Sequence, residues 1–179
     1  MKFIETDLPG AFVIEPDVYK DNRGFFLELY NRKVFEEHRI SPDFFQDNYS
    51  FSQKKGVLRG LHFQYPPHFQ AKLVMVMCGA IHDVIVDLRK GSPKYGKWIA
   101  IELSNSPFRM IYVPRGFAHG FCTLTDNAHV LYKVDSLYNP GADGGVRWDD
   151  PDLDIRWPVS EPILSEKDKE LPFLKDITL

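Results

Sequence analysis

An all-β jelly roll, or a related double-sheet barrel, is the fold the sequence predicts, and three observations predict it. Short segments rich in Val, Ile, Phe and Tyr follow one another through the middle of the chain, each ended by Gly, Pro, Asn or Asp. No helical stretch of ten or so residues separates them, so the crossovers that a parallel α/β sheet requires are missing. Aromatic residues make up 14% of the chain and 13 Pro stand beside 12 Gly, the composition of rigid strands joined by many turns.

In chain order the predicted strands are residues 25–30, 49–52, 57–64, 73–77, 81–88, 97–103, 110–113, 120–124 and 128–134. Helix signals are confined to 33–39 and to a C-terminal piece starting at Ser165, where Ser-Glu-Lys-Asp reads as a capping box; both helices are expected at the periphery. No internal repeat, linker or low-complexity run interrupts this order. A length of 179 residues suits one domain over 1–179, since domains usually run ~100–200 residues. Packing alone can hold such a chain, which buries roughly 70% of its unfolded surface.

Charge and cysteine usage exclude several classes of function. A formal charge of -3, from 22 basic and 25 acidic residues with no polybasic run, leaves no footprint for nucleic acid. Cys78 and Cys122 sit in apolar stretches and read as two small buried thiols rather than a disulfide framework. An acid at Glu5 interrupts any apolar signal core, and no stretch approaches the ~20 apolar residues of a membrane helix. The expectation is a soluble, cytoplasmic protein.

Strand alternation places polar groups beside apolar ones. One face of 57–64 carries Leu58, Gly60, His62 and Gln64; one face of 72–77 carries Lys72, Val74 and Val76; one face of 128–134 carries Ala128, Val130, Tyr132 and Val134. A cation, an imidazole and a phenol are thereby aimed at one lumen. Metal binding is the first use to consider, because imidazole is the commonest ligand in small barrels. The spacing opposes it: the position two after His62 is Gln64, the one two after His82 is Val84, and His38, His68 and His129 likewise have no histidine two or four positions away. Metal-free acid–base chemistry is the second, with His62 as a base if a carboxylate fixes its tautomer. Spacing alone does not choose that carboxylate from 25 acids, and Asp168 can equally close the capping box with Ser165.

Taken together, the ordered segments resemble the dTDP-4-dehydrorhamnose 3,5-epimerase family. They include Asp21-Asn22-Arg23-Gly24-Phe25-Phe26 with Glu28, Gln46-Asp47-Asn48 with Ser50, Leu58-Arg59-Gly60-Leu61-His62-Phe63-Gln64, Ala71-Lys72-Leu73-Val74, and Asp83-Val84 to Arg89. Pro114-Arg115-Gly116-Phe117-Ala118-His119-Gly120-Phe121, Leu131-Tyr132-Lys133, Tyr138-Asn139-Pro140, Trp148-Asp149-Asp150-Pro151, Ile155-Arg156-Trp157-Pro158 and Leu164 to Asp168 continue the match nearly to the end.

The resemblance implies a cupin-like jelly roll, a homodimer whose N-terminal region completes the partner's site, and no metal or organic cofactor. It implies that His62 is the proton acceptor, Asp168 its carboxylate, Tyr132 the proton donor on the opposite face, and Lys72 the cation near the keto oxygen. Arg23, Glu28, Gln46, Asn48, Arg59, His119, Tyr138, Asp143 and Lys167 would line the nucleotide-sugar site, with Arg59 and Arg23 on the diphosphate. The implied reaction is epimerisation of dTDP-4-keto-6-deoxy-D-glucose at carbons 3 and 5, in dTDP-L-rhamnose biosynthesis. The chain departs from the family pattern at Met75, where many members have Arg, Ala80 for Glu, His82 for Phe, and Asp143 for Glu. Three rivals stay open at this point: a mono-epimerase acting at carbon 3 or carbon 5 only, a non-catalytic sugar-nucleotide-binding cupin, and a metal-dependent cupin enzyme.

Overall fold

Two antiparallel sheets face each other in the computed structural model, which describes residues 1–40 and 43–179. The strands are β1 (Lys2–Glu5), β2 (Phe12–Glu15), β3 (Val18–Asp21), β4 (Gly24–Leu27), β5 (Gln46–Ser52), β6 (Leu58–Gln64), β7 (Lys72–Cys78), β8 (Ala80–Asp87), β9 (Trp98–Ser104), β10 (Met110–Val113), β11 (Phe117–Thr123), β12 (Ala128–Val134) and β13 (Asp143–Gly145). The first sheet runs β1-β2-β10-β7-β12-β5 and the second β13-β6-β11-β8-β9, while β3 and β4 form a separate hairpin. This is the expected cupin-like jelly roll.

Alternation along each strand builds the layers. Val74, Val76 and Val130 of the first sheet meet Ile81, Ile85, Phe117 and Phe121 of the second in the lumen. The outer face of the first sheet buries Leu73, Met75 and Met110 under Phe35 and Ile40. The outer face of the second buries Leu61, Phe63, Val84 and Val86 under Val146, Leu153, Trp157 and Leu174. The segment from Val146 to Leu174 is therefore the second sheet's cover. Met75, with no exposed surface, belongs to the outer core, so its thioether fills space away from the lumen.

Helix α1 (Arg32–Glu37) starts one residue earlier than predicted because Asn31 caps it, its side chain accepting from Lys33 N. It ends before Arg39, which takes a left-handed φ of 60°. Helix α2 (Glu166–Lys169) begins after Ser165 as expected, with the Ser165 hydroxyl accepting from Asp168 N at 3.1 Å. It is not peripheral, since it packs on β6 and its Asp168 is buried.

Four further readings are corrected. Strands β1, β2, β3 and β13 are absent from the sequence-based expectation; each is only three or four residues long and holds its place by pairing rather than by its own periodicity. The predicted strand at 25–30 stops at Leu27, at the end of the hairpin register with Val18. Cys78 is exposed, unlike Cys122, because it ends β7 just before the Gly79 turn. The alternation predicted for 57–64 fails at Gly60: His62 pairs with His119 but Arg59 pairs with Phe121, so β6 spends three residues where β11 spends two.

This bulge turns Arg59 onto the face of His62 and sends Leu58 to the other. Gly60 permits it, with φ of +124° and a backbone so close to β11 that a Cβ there would lie 2.5 Å from Gly120 Cα.

Candidate active site

The bulge, the lumen-facing positions of β7 and β12, and the start of α2 converge on one pocket, lined by Arg59, His62, Lys72, His119, Tyr132, Lys167 and Asp168 among others. A continuous second pocket shares His62, Lys72, Tyr132 and Lys167 and adds Gln46, Asn48, Tyr138 and Asp143. His62 comes from the second sheet and Tyr132 from the first, so an imidazole and a phenol stand on opposite walls.

His62 Nε2 lies 2.6 Å from Asp168 Oδ1. Burial would raise the Asp168 carboxyl, but the bonds from His62, Ser165 and the Gly60 backbone outweigh it and hold the group below the usual 3.8. A carboxylate facing Nε2 fixes the tautomer with its proton there, which puts the ring's lone pair on Nδ1. The capping serine and the catalytic-type carboxylate are thus parts of one device: Ser165 sets the first turn of α2, and the turn aims Asp168 at β6.

A second imidazole–carboxylate pair lies deeper. His119 Nε2 is 2.7 Å from Asp83 Oδ2, with both side chains almost wholly buried. Burial lowers the pKa of His119, and Asp83 only partly offsets this. Lys72, buried beside them, has its pKa lowered to about 8 by burial, against the opposing pull of Asp83 and Asp143. Its Nζ donates to the His62 carbonyl oxygen at 3.4 Å. The Tyr132 phenol is raised by burial, with the Arg59 guanidinium working the other way.

The polar rim is organised by amides. Gln46 Nε2 donates to Asn48 Oδ1 at 2.7 Å, and Gln46 Oε1 accepts from Tyr138 N at 3.1 Å. Gln64 Oε1 accepts from Asn139 N at 2.7 Å, which ties the 137–139 loop to β6. Tyr138 donates its hydroxyl to Asp143 Oδ2 at 3.0 Å, and Lys167 forms an ion pair with the same carboxylate. Asp143, shorter than the family's Glu, therefore bridges two neighbours at the pocket edge.

Of the predicted site residues, His62, Lys72, Tyr132, Asp168, Gln46, Asn48, Arg59, His119, Tyr138, Asp143 and Lys167 come together here. Arg23 and Glu28 do not. Arg23 pairs with Asp21 at 2.6 Å on the outlying hairpin, and Glu28 accepts from Asn31 Nδ2 at 3.1 Å. His82 lies on the outer face, its ring edge-on to Trp157 with centroids 6.0 Å apart. The role of Asp83 was not read from the sequence. Its signal was there: Ile81, Asp83 and Ile85 share a face, and a carboxylate among buried aliphatics needs a partner.

Among the described residues no group of three or more His, Cys, Asp or Glu is placed to hold a metal ion. Nor is any described helix long and apolar enough to cross a membrane.

Comparison with known proteins places this geometry among relatives. The family described as dTDP-4-dehydrorhamnose 3,5-epimerase matches residues 5–176. A protein of that name from Methanothermobacter thermautotrophicus is 49% identical over 178 residues, 98% of this chain and 95% of its own. The crystal structure of the Bacillus anthracis dTDP-4-dehydrorhamnose 3,5-epimerase, with TDP and PPi bound, superposes with a TM-score of 0.95 at 52% identity, covering 97% of this chain and 99% of that one. The Legionella pneumophila dTDP-6-deoxy-D-glucose-3,5-epimerase, in complex with dTDP-4-keto-L-rhamnose, gives 0.94 at 42% identity and covers 99% of this chain and 94% of its own.

Proposed function

The chain belongs to the dTDP-4-dehydrorhamnose 3,5-epimerase family, and from that premise we propose that it converts dTDP-4-keto-6-deoxy-D-glucose to dTDP-4-keto-L-rhamnose by inverting carbons 3 and 5. The observation that carries the reading is the carboxylate-held imidazole of His62 standing across one pocket from the phenol of Tyr132, with Lys72 on Tyr132's sheet reaching over to the His62 carbonyl oxygen.

The hydrogens on carbons 3 and 5 are acidic because each carbon adjoins the carbon 4 ketone. His62 takes one as a proton, and the electron pair moves onto the keto oxygen as an enolate. Lys72, cationic below a pKa of about 8 and shielded from water, meets that charge; preorganised electrostatic stabilisation of this kind commonly contributes more to catalysis than any other single effect. Tyr132 then protonates the same carbon from the opposite wall, which inverts it. Asp168 stabilises the imidazolium that forms, and exchange with solvent returns a proton to Tyr132 and removes one from His62. The cycle repeats at the second carbon. Substrate and product are isomers, so the balance needs no oxidant, reductant or cofactor.

The same reading makes the protein a homodimer of single 1–179 epimerase domains. Its support is the β3–β4 hairpin, which carries Arg23 and Glu28 away from their own pocket and exposes Tyr19, Phe25 and Phe26. In the dimer that hairpin enters the second copy's pocket, where Arg23 joins Arg59 on the diphosphate. Two cysteines that form no disulfide suit the reducing cytoplasm.

Trapping the product tests the proposal. With a 4-ketoreductase of L-rhamnose specificity and NADPH, the expected product is dTDP-L-rhamnose; a sugar inverted at one centre or at none would count against it.

A further inference from the structure

We propose that Leu171 is a positioning residue of the acid–base site: its side chain, seated on Gly145, fixes where helix α2 lies and so holds the Asp168 carboxylate on His62. The inference rests on the epimerase reading, in which His62 is the base.

A helix of four residues has too few hydrogen bonds to stand alone, so α2 takes its place from what it touches. The Ser165 cap and the ion pair of Lys169 with Glu166 are internal to the turn, and Lys167 pairs with Asp143 at the exposed rim, where such pairs contribute little. Glu166, Lys167, Lys169 and Glu170 are all exposed, whereas Asp168 and Leu171 keep 3% and 8% of their surface. Residues three apart lie on one side of a helical turn. The helix therefore docks through one carboxylate and one leucine.

Their two seats are neighbours. Asp168 is bonded to His62 on β6, and Gly145 on β13 is the residue directly opposite His62 in the antiparallel register. Side chains of such a pair leave the sheet on the same face. A Cβ at Gly145 would lie 2.7 Å from Leu171 Cδ1 and 2.8 Å from Leu171 Cδ2, so the leucine fills the space where residue 145 would otherwise carry a side chain. Gly145 is not among the glycines of positive φ, so it is room for a neighbour, and not backbone freedom, that calls for a glycine there.

The anchoring comes from the C-terminal side. Every residue from 154 to 167 keeps at least part of its surface, while after Leu171 the backbone is fixed by Arg147 N donating to Pro172 O at 2.9 Å and Leu174 N donating to Asp150 Oδ2 at 2.6 Å. Leu171 is thus the first apolar anchor beyond the carboxylate. With its methyl groups removed, α2 would rest on polar contacts that water can replace. A carboxylate displaced by about 1 Å neither fixes the imidazole nor stabilises its cation, and misplacement on that scale costs up to about 10²-fold in rate.

Steady-state kinetics and proton NMR of Leu171→Ala and Leu171→Met, with Leu171→Ala repeated in an Asp168→Asn background, test the assignment. Leu171→Ala is expected to lower kcat about tenfold with KM and calorimetric dTDP affinity within about twofold of native. Leu171→Met, which keeps the volume, should retain most of the rate. In the Asp168→Asn background the alanine substitution should cost less than about twofold, because the carboxylate through which it acts is already gone. The proton between His62 Nε2 and Asp168 Oδ1, identified as the low-field resonance that His62→Ala removes, should move upfield or broaden away in Leu171→Ala. Leu171→Val, a milder truncation, carries the same readouts where Leu171→Ala fails to bind dTDP. Native kcat in the truncated variants, an equal loss in both backgrounds, or an unaltered low-field resonance would overturn the proposal. That resonance is read without substrate, so a chain that shows the shift yet does not epimerise would defeat the epimerase reading alone.

Discussion

His62–Asp168 and His119–Asp83 are built from the same two residue types and close at 2.6 and 2.7 Å, but they occupy different media. The His62 side chain keeps 34% of its surface, whereas His119 keeps 6% and Asp83 none. A base must reach a carbon acid and then return its proton to solvent, so only the pair at the pocket surface can serve. The deep pair joins β11 to β8 beneath Lys72, where an unpaired carboxylate would be costly. Identical chemistry at two depths gives one pair a proposed catalytic role and the other a supporting one.

Substitutions at the two pairs should separate those roles. The largest effect is expected for His62→Ala, which should slow the exchange of sugar protons with solvent by about 10³-fold while dTDP affinity stays within about twofold; NMR exchange rates and calorimetry measure the two. His119→Ala should act chiefly on stability, lowering it by about 3 kcal/mol in urea titration because Asp83 loses its partner in the interior. The double variant His119→Ala with Asp83→Asn should recover part of that loss, as expected when the penalty resides in the stranded charge.

Asp168→Asn sharpens the comparison from the carboxylate side. It should cost about 10²-fold in kcat, since the amide neither fixes the Nε2–H tautomer nor stabilises an imidazolium, with little change in KM. The smallest effect is a pH dependence. Lys72 serves as a cation, and burial brings its pKa down to about 8. Enolate stabilisation is therefore full below that value and is lost as pH rises through it, about tenfold per unit beyond. In the pH profile of kcat, Lys72→Met should lower the plateau and abolish this alkaline limb.

The two sheets also differ in how legible they were. Strands β7 and β12 keep an unbroken register from Lys72 to Val76 and from Val130 to Val134, shifting only beyond it at His129, so spacing alone puts Lys72 and Tyr132 in the lumen. Strand β6 does not, because its bulge is set by the contact of Gly60 with Gly120, two residues far apart in sequence. Arg59 was therefore assigned to the site through the family resemblance, not through periodicity. The same limit held for Asp168: the capping box placed it in a helix turn, but its reach to His62 spans 106 residues and depends on α2 docking against β6. Asp83 was visible as an acid in an apolar row, while its partner across β8 and β11 was fixed only by register.

The central claim is that one base, His62, serves both carbons beside the ketone. Proton NMR of dTDP-4-keto-6-deoxyglucose with the enzyme in heavy water, following the hydrogens on carbons 3 and 5 separately, tests it most directly. Both signals should disappear with the native chain and both should persist with His62→Ala. Persistence of either signal with the native chain, or loss of one with the variant, would contradict the account.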